Sequence, residues 1–181
     1  SDRGYRVEVP RRGSDGRIVV ATGWVKPGGD VSVGYQPFTQ RNVIETMFRL
    51  LYHPYGWGDC CNERDCCGII RTVMNTFGIE TPRAPIHQFY YTDHAVTFSK
   101  DMTNADKYRL FDGCEPGITI CGFNGHIMMY LGAVGSDHFV IHSNGYSYHD
   151  ANGDEYRVAR TAVTDLDLEG GSDLRQFTNI S

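Results

Sequence analysis

The spacing of apolar positions changes twice along this chain. Tyr5, Val7 and Val9 alternate with polar neighbours, the turn cluster Gly13-Ser14-Asp15-Gly16 follows, and Ile18-Val19-Val20 resumes the apolar run. A period of two bounded by turn residues predicts a hairpin. Two strands bury little surface by themselves. Residues 1–36 are therefore a β-rich segment that either packs on a main domain or is the remnant of a longer N-terminal one. Lys26-Pro27-Gly28-Gly29-Asp30 predicts a loop. From about Thr39 to Tyr52 the period becomes helical. Val43, Ile44, Met47, Phe48 and Leu51 share one face, Thr39 suits the N-cap, and His53-Pro54 ends the run.

The second helix is the clearest element. Cys66, Ile69, Ile70, Val73, Met74 and Phe77 recur at helical spacing, Asp65 can cap the start and Gly78 the end. The polar, aromatic-rich stretch 84–112 leaves room for one more helix and loops. Beyond it the pattern is β again: Ile118–Phe123, Ile127–Leu131 and His138–His142 predict strands, with Asn144-Gly145 and Asn152-Gly153 as turn signals. Helices first and an antiparallel sheet afterwards predict an α+β main domain over residues 37–181.

Composition narrows the class without naming it. The 181 residues are 40% hydrophobic and 22% charged, with a formal net charge of −5. That balance suits a globular fold and points to no nucleic-acid or anionic-membrane partner. No apolar run is long enough to span a bilayer, so no membrane insertion is expected. No signal peptide is visible, and a chain that begins at Ser1 rather than Met leaves localisation open.

Six cysteines stand at 60, 61, 66, 67, 114 and 121. Neighbouring cysteines rarely pair with each other, because their Cβ vectors diverge. Cys114 and Cys121 are spaced to bridge a short loop, but a domain of this size has no need of the staple. Cys66 is in the first turn of a predicted helix, where free N–H groups and the helix dipole favour an anion. A thiol there, next to an imidazolium, is pushed toward thiolate. Position alone leaves a buried structural cysteine equally good as a reading.

The histidines shift that balance. If Gly132–Asp137 is the loop of a hairpin centred near residue 134, His126 stands opposite His142 on one sheet face. One imidazole can then orient the other, the logic of a catalytic triad. His53, His87, His94, His138 and His149 fall in loops or on polar faces, and surface roles are expected for them.

Several separated motifs now agree. Tyr55-Gly56-Trp57-Gly58, Arg64-Asp65-Cys66-Cys67-Gly68, Gly78-Ile79 with Pro82-Arg83, Gly125-His126-Ile127-Met128-Met129-Tyr130-Leu131-Gly132 and Val140-Ile141-His142 resemble, in that order, the NlpC/P60 family of cysteine peptidases. The resemblance implies a papain-like NlpC/P60 fold, with a cysteine-bearing helix on an antiparallel sheet. It implies hydrolysis of peptidoglycan stem peptides or muropeptides, often between D-glutamate and the following diamino acid. It assigns Cys66 as nucleophile, His126 as base and His142 as orienting residue. Tyr55, Trp57, Asp65, Cys67 and Arg83 align with positions that line the substrate cleft. No cofactor is implied, and the setting would be the bacterial cell envelope or outside the cell. Residues 1–36 resemble the end of a bacterial SH3-like module. Two departures stand out: Cys67 replaces the usual Ser, and Cys60-Cys61 occupies a stretch that is usually Gly-rich.

Rival readings remain. The four cysteines of Cys60-Cys61-x4-Cys66-Cys67 invite zinc, but adjacent cysteines lack the usual C-x2–4-C spacing and are expected to point about 100° apart on a helix. No metal is therefore expected. An amidase or acyltransferase with the same triad, or a wall-binding module without activity, would share the fold.

Overall fold

The computed structural model describes residues 4–28, 31–90, 94–99, 101–149, 152–166 and 179–180. The chain divides into two compact units, residues 1–36 and 37–181. In the first, β1 (Tyr5–Arg12) pairs antiparallel with β2 (Ile18–Val25), from Tyr5 opposite Val25 to Arg12 opposite Ile18. Val9, Ile18, Val19 and Val20 stay exposed, as expected where a ribbon has so little surface of its own to cover them. Gly29 and Asp30 of the expected loop lie outside the described residues.

The second unit opens with α1 (Gln40–Arg49), whose N-cap Thr39 accepts from the Asn42 N–H. This helix stops three residues short of the expected Tyr52. Leu50 caps it, Tyr52 turns to φ 68°, and the Tyr52 N–H donates to Thr161 O at 2.9 Å. The chain leaves the helix there to join the sheet. Then α2 (Cys66–Thr76) forms behind its Asp65 cap, with Phe77 as C-cap and Gly78 at φ 77°. The stretch expected to hold one helix holds two, α3 (Pro85–Phe89) and α4 (Asn104–Asp112). Five residues are too few for α3 to show a period. In α4 only Lys107 and Phe111 are buried, so its apolar stripe is thin. A Thr103–Asp106 capping box starts α4 instead.

Six short strands make one antiparallel sheet. They are β3 (Val96–Thr97), β4 (Ile120–Phe123), β5 (His126–Val134), β6 (Asp137–Asn144), β9 (Arg160–Asp165) and β10 (Asn179–Ile180), in spatial order β3-β10-β4-β5-β6-β9. Between β6 and β9, β7 (Ser147–His149) and β8 (Glu155–Arg157) pair with each other, with Asn152-Gly153 in their connection. The class is α+β: helices precede and pack on an antiparallel sheet.

Alternation along β5 feeds two cores. Ile127 and Met129 join Ile141, Ile69, Ile70, Val73, Val43 and Met47, while Met128 and Tyr130 join Val140, Phe98, Phe111 and Leu166. A strand covered on both faces reads as an unbroken apolar run, which is why Ile127–Leu131 shows no alternation.

The β5–β6 hairpin differs from the expected one. Gly132 to Asp137 is not a loop; the strands run on to a tight turn at Gly135-Ser136. Pairs run Met129–Ile141 and Tyr130–Val140, then shift by one beyond a bulge at Leu131, with Gly132 at φ 109°. The register near the histidines is thus displaced by two residues from expectation. An even displacement preserves the face of every side chain. His126 and His142 become diagonal neighbours rather than direct partners.

That register also corrects His138, expected at the surface. It is 3% exposed, with Nδ1 2.7 Å from Tyr130 Oη and Nε2 3.2 Å from Asp112 Oδ1. The rings of Tyr108 and Phe111 from α4 cover it.

Candidate active site

The lead into α2 is built from irregular backbone. Trp57–Asn62 is a run of tight turns joined at a kink, in which Gly58, Asp59 and Cys61 take φ of 66°, 61° and 57°. Left-handed geometry is costly for residues with a Cβ and needs local support. Asp59 has it: its Oδ1 accepts the Asp65 N–H at 3.2 Å, and its Oδ2 faces Arg83 Nε at 3.3 Å. A Cβ at position 68 would collide with the Asp59 carboxylate, so Gly68 is required for that side chain to tuck against the helix.

Asp65 is the pivot of this lead. Its Oδ1 accepts from the N–H groups of Cys67 at 3.1 Å and Gly68 at 2.9 Å. Its Oδ2 accepts from the Gly58 N–H at 3.1 Å and from Arg83 at 2.6 Å. Burial pushes this carboxyl up, but the Arg83 and backbone hydrogen bonds outweigh it and hold it below the usual range. Further ties fix the helix start. Ser143 Oγ donates to Arg64 O at 2.7 Å, linking β6 to the residue before the cap. Gln88 from α3 donates to Cys67 O at 3.3 Å.

This frame presents the Cys66 thiol, 7% exposed, to the histidine pair. His126 Nε2 lies 2.6 Å from His142 Nδ1, and His142 Nε2 lies 3.1 Å from Thr164 Oγ1 on β9. Burial, then the charge of His126, pushes His142 well down, so it stays neutral near pH 7. If neutral His142 donates from Nε2 to Thr164, it accepts at Nδ1 and His126 donates from Nε2. His126 Nδ1 is then the nitrogen left for the Cys66 thiol. The Cys66 thiol is pushed down by its hydrogen bond with Cys67 and then by His126, against the effect of burial. The Cys67 thiol is pushed up, by its bond to Cys66 and by burial.

The two sulfurs lie 3.7 Å apart. They are in contact although successive helix positions point about 100° apart.

Of the other residues singled out in the sequence, Tyr55, Asp65, Cys67 and Arg83 are drawn into one cluster with Cys66. Tyr55 is held high, to about 12, by burial and then by the charge of Cys66. Trp57 is 80% exposed and, among the described residues, takes no part in these hydrogen bonds. Cys60 and Cys61 are exposed in the irregular turn, and all the cysteines are free thiols. Cys114 donates to Leu110 O and Cys121 to Met128 O, so neither turns toward a disulfide.

Three residues escaped the sequence reading. Thr164 closes the histidine chain from a strand that has no motif. Asp59 acts through a backbone conformation that spacing does not reveal. Tyr146 lies edge-on to His126 at 5.4 Å between ring centroids, and its hydroxyl donates to Gly125 O at 3.2 Å. The Asn144-Gly145 signal just before it was the available clue. A Cβ at Gly145 would come within 2.7 Å of the Tyr55 ring, so this turn must pass close under the tyrosine.

A thiol at a helix start, an imidazole that shifts its ionisation and a second imidazole behind the first are the parts a cysteine hydrolase needs. Comparison with solved structures gives the fold its family. The chain superimposes with a TM-score of 0.73 on an NlpC/P60 endopeptidase from Photobacterium damselae subsp. piscicida, at 18% identity, over 97% of this chain and 45% of that one. It matches an NlpC/P60 family protein from Bacillus cereus ATCC 10987 with a TM-score of 0.56, at 17% identity, over 99% of this chain and 50% of that one. The fold is that of the NlpC/P60 endopeptidases. The chain spans about half the length of each of these structures. No protein-family model and no curated protein sequence matches it. Among the described residues, no helix is long and apolar enough to cross a membrane.

Proposed function

We propose that this chain is a cysteine endopeptidase of bacterial peptidoglycan stem peptides, acting in the cell envelope or outside the cell. The observation that carries the reading is the hydrogen-bonded chain Thr164–His142–His126, set against a Cys66 thiol that His126 helps to push down. In this mechanism the Cys66 thiolate attacks the scissile carbonyl and forms a tetrahedral oxyanion. The Cys66 backbone N–H, which has no acceptor within its own helix, donates to that oxygen. His126 passes its proton to the leaving amine, and a thioester remains on Cys66. His126 then takes a proton from water, hydroxide attacks the thioester, and the thiolate returns. His142 accepts from His126 throughout and keeps its ring in the working tautomer.

Substrate recognition falls to the residues around the thiol. Arg83 spends Nε on Asp59 and one terminal nitrogen on Asp65, and with its side chain 39% exposed it has donors left for a substrate carboxylate. Tyr55 and Cys67 line the site next to Cys66, and exposed Trp57 offers an aromatic face at its edge. Asp65, saturated by four donors, acts on substrate through the alignment of Arg83. A stem peptide rich in carboxylates and amines suits such a lining, and the D-glutamyl–diamino acid bond is the one we assign. Digestion of defined muropeptides, with products read by mass spectrometry, tests it. New amino termini on the diamino acid are expected. Release of an intact stem peptide from its sugar would show an amidase instead, and no product would refute a hydrolase.

A further inference from the structure

We propose that Tyr146 is a positioning residue that seals the His126–His142 hydrogen bond from water and sets the angle of the His126 ring. Its part in turnover rests on the peptidase reading, whereas its hold on the histidine pair does not. His126 is the first residue of β5 and directly follows Gly125 at φ 88°. Its ladder partner, Phe123, is the last residue of β4. Glycine leaves the backbone at such a strand end little constraint of its own, so the ring angle depends on what packs around it.

Three rings surround the imidazole. His142 stands at 4.9 Å between centroids and 60°, Phe123 at 5.5 Å and 45°, and Tyr146 at 5.4 Å and 84°. Aromatic pairs at about 4.5–7 Å and near a right angle are in favourable geometry. Tyr146 adds a tether to this packing. Its hydroxyl donates to Gly125 O at 3.2 Å, the carbonyl just before His126, and so ties the β6–β7 connection to the β4–β5 turn. Burial, then the charge of Cys66, pushes that hydroxyl up, so it is a protonated donor at neutral pH.

Exposure separates the three partners. His126 is 1% exposed and His142 fully buried, while Tyr146 is 46% exposed. The tyrosine is therefore the side of the cluster that meets solvent. It is held in that place by its own backbone. Its N–H donates to Asn144 Oδ1 at 2.7 Å, and its carbonyl accepts from the Val158 N–H at 3.2 Å. Asn144 is buried and fixed in turn by donating to Tyr148 Oη at 2.6 Å. Water admitted beside His126 would compete for its 2.6 Å bond to His142 and leave the ring free to turn away from Cys66.

The test uses the full chain labelled with ¹⁵N-histidine. At neutral pH, proton NMR should show a slowly exchanging downfield proton shared by His126 Nε2 and His142 Nδ1, assigned by its loss in His142→Ala. Tyr146→Phe should keep this proton, and Tyr146→Ala should lose it to exchange with water. Its absence from the unmutated chain, or its survival in Tyr146→Ala with unchanged exchange, overturns the proposal. Muropeptide kinetics give the second reading. In Tyr146→Ala kcat should fall about 10²-fold with KM little changed, the cost of a misplaced catalytic group. In Tyr146→Phe only the tether is lost, and kcat should fall about fivefold. A change confined to KM would make Tyr146 a wall of the substrate cleft and overturns the proposal. If Tyr146→Ala does not fold, Tyr146→Phe decides, and unchanged turnover or a lost proton in that variant refutes the role. A sealed proton that Tyr146→Ala releases, in a chain that cleaves no muropeptide, leaves the seal standing and sinks the peptidase reading. Cleavage with proton exchange indifferent to residue 146 does the opposite.

Discussion

The chain carries two pairs of adjacent cysteines a few residues apart, and the structure gives them opposite surroundings. Cys60 and Cys61 are exposed in a turn of left-handed backbone. Cys66 and Cys67 are buried in the first turn of α2, below a capping carboxylate and beside an imidazole. The residue type is the same, so the difference lies in what the backbone brings to each. A helix start supplies unpaired N–H groups, the sheet supplies His126, and the Asp65 cap fixes where the helix begins. The exposed pair has none of these. Within the buried pair a second asymmetry appears, because their mutual bond and His126 push the Cys66 thiol down, while the same bond and burial push Cys67 up.

The largest effect that could break this comparison comes from Cys66→Ala. It should lower turnover of a muropeptide by at least about 10³-fold, in the range seen when a nucleophile is removed from a hydrolase. Steady-state kinetics check it, and surviving turnover would move the nucleophile to Cys67 or to the exposed pair. Next comes His142→Ala. It frees the His126 ring without touching substrate, so kcat should fall about 10²-fold with KM little changed. A change confined to KM would mean that the histidine pair binds rather than catalyses.

These variants also show what the sequence made legible. The helix that carries Cys66 announced itself through a long apolar period and a capping Asp. The His126–His142 contact was legible for a simple reason: the hairpin register was displaced by two, and an even displacement keeps both rings on one face. A displacement of one would have separated them. Thr164 was not legible, because β9 is placed by long-range pairing with β6 and not by any local pattern. Asp59 was hidden for a different reason, since its role depends on a left-handed φ held by tertiary contacts. His138 was misread because its strand is covered by α4, whose polar sequence gives little sign of a buried face.

Thr164→Val sharpens the comparison at a smaller scale. It removes one hydrogen bond to His142, of the order of 1 kcal/mol, and turnover should drop by roughly fivefold. No change would show that His142 is oriented by packing alone. The smallest effect belongs to the other pair. Cys60→Ser/Cys61→Ser should leave both the melting temperature and turnover as they are, read by thermal unfolding and the same assay. A large loss would give those thiols a role that their exposure does not suggest.

One measurement tests the central claim most directly. Turnover of a defined muropeptide is quenched in acid, and the covalent adduct is located by tandem mass spectrometry of the peptide containing residues 60–67. The account predicts a stem-peptide acyl group on Cys66. An acyl group on Cys67, Cys60 or Cys61 would contradict it.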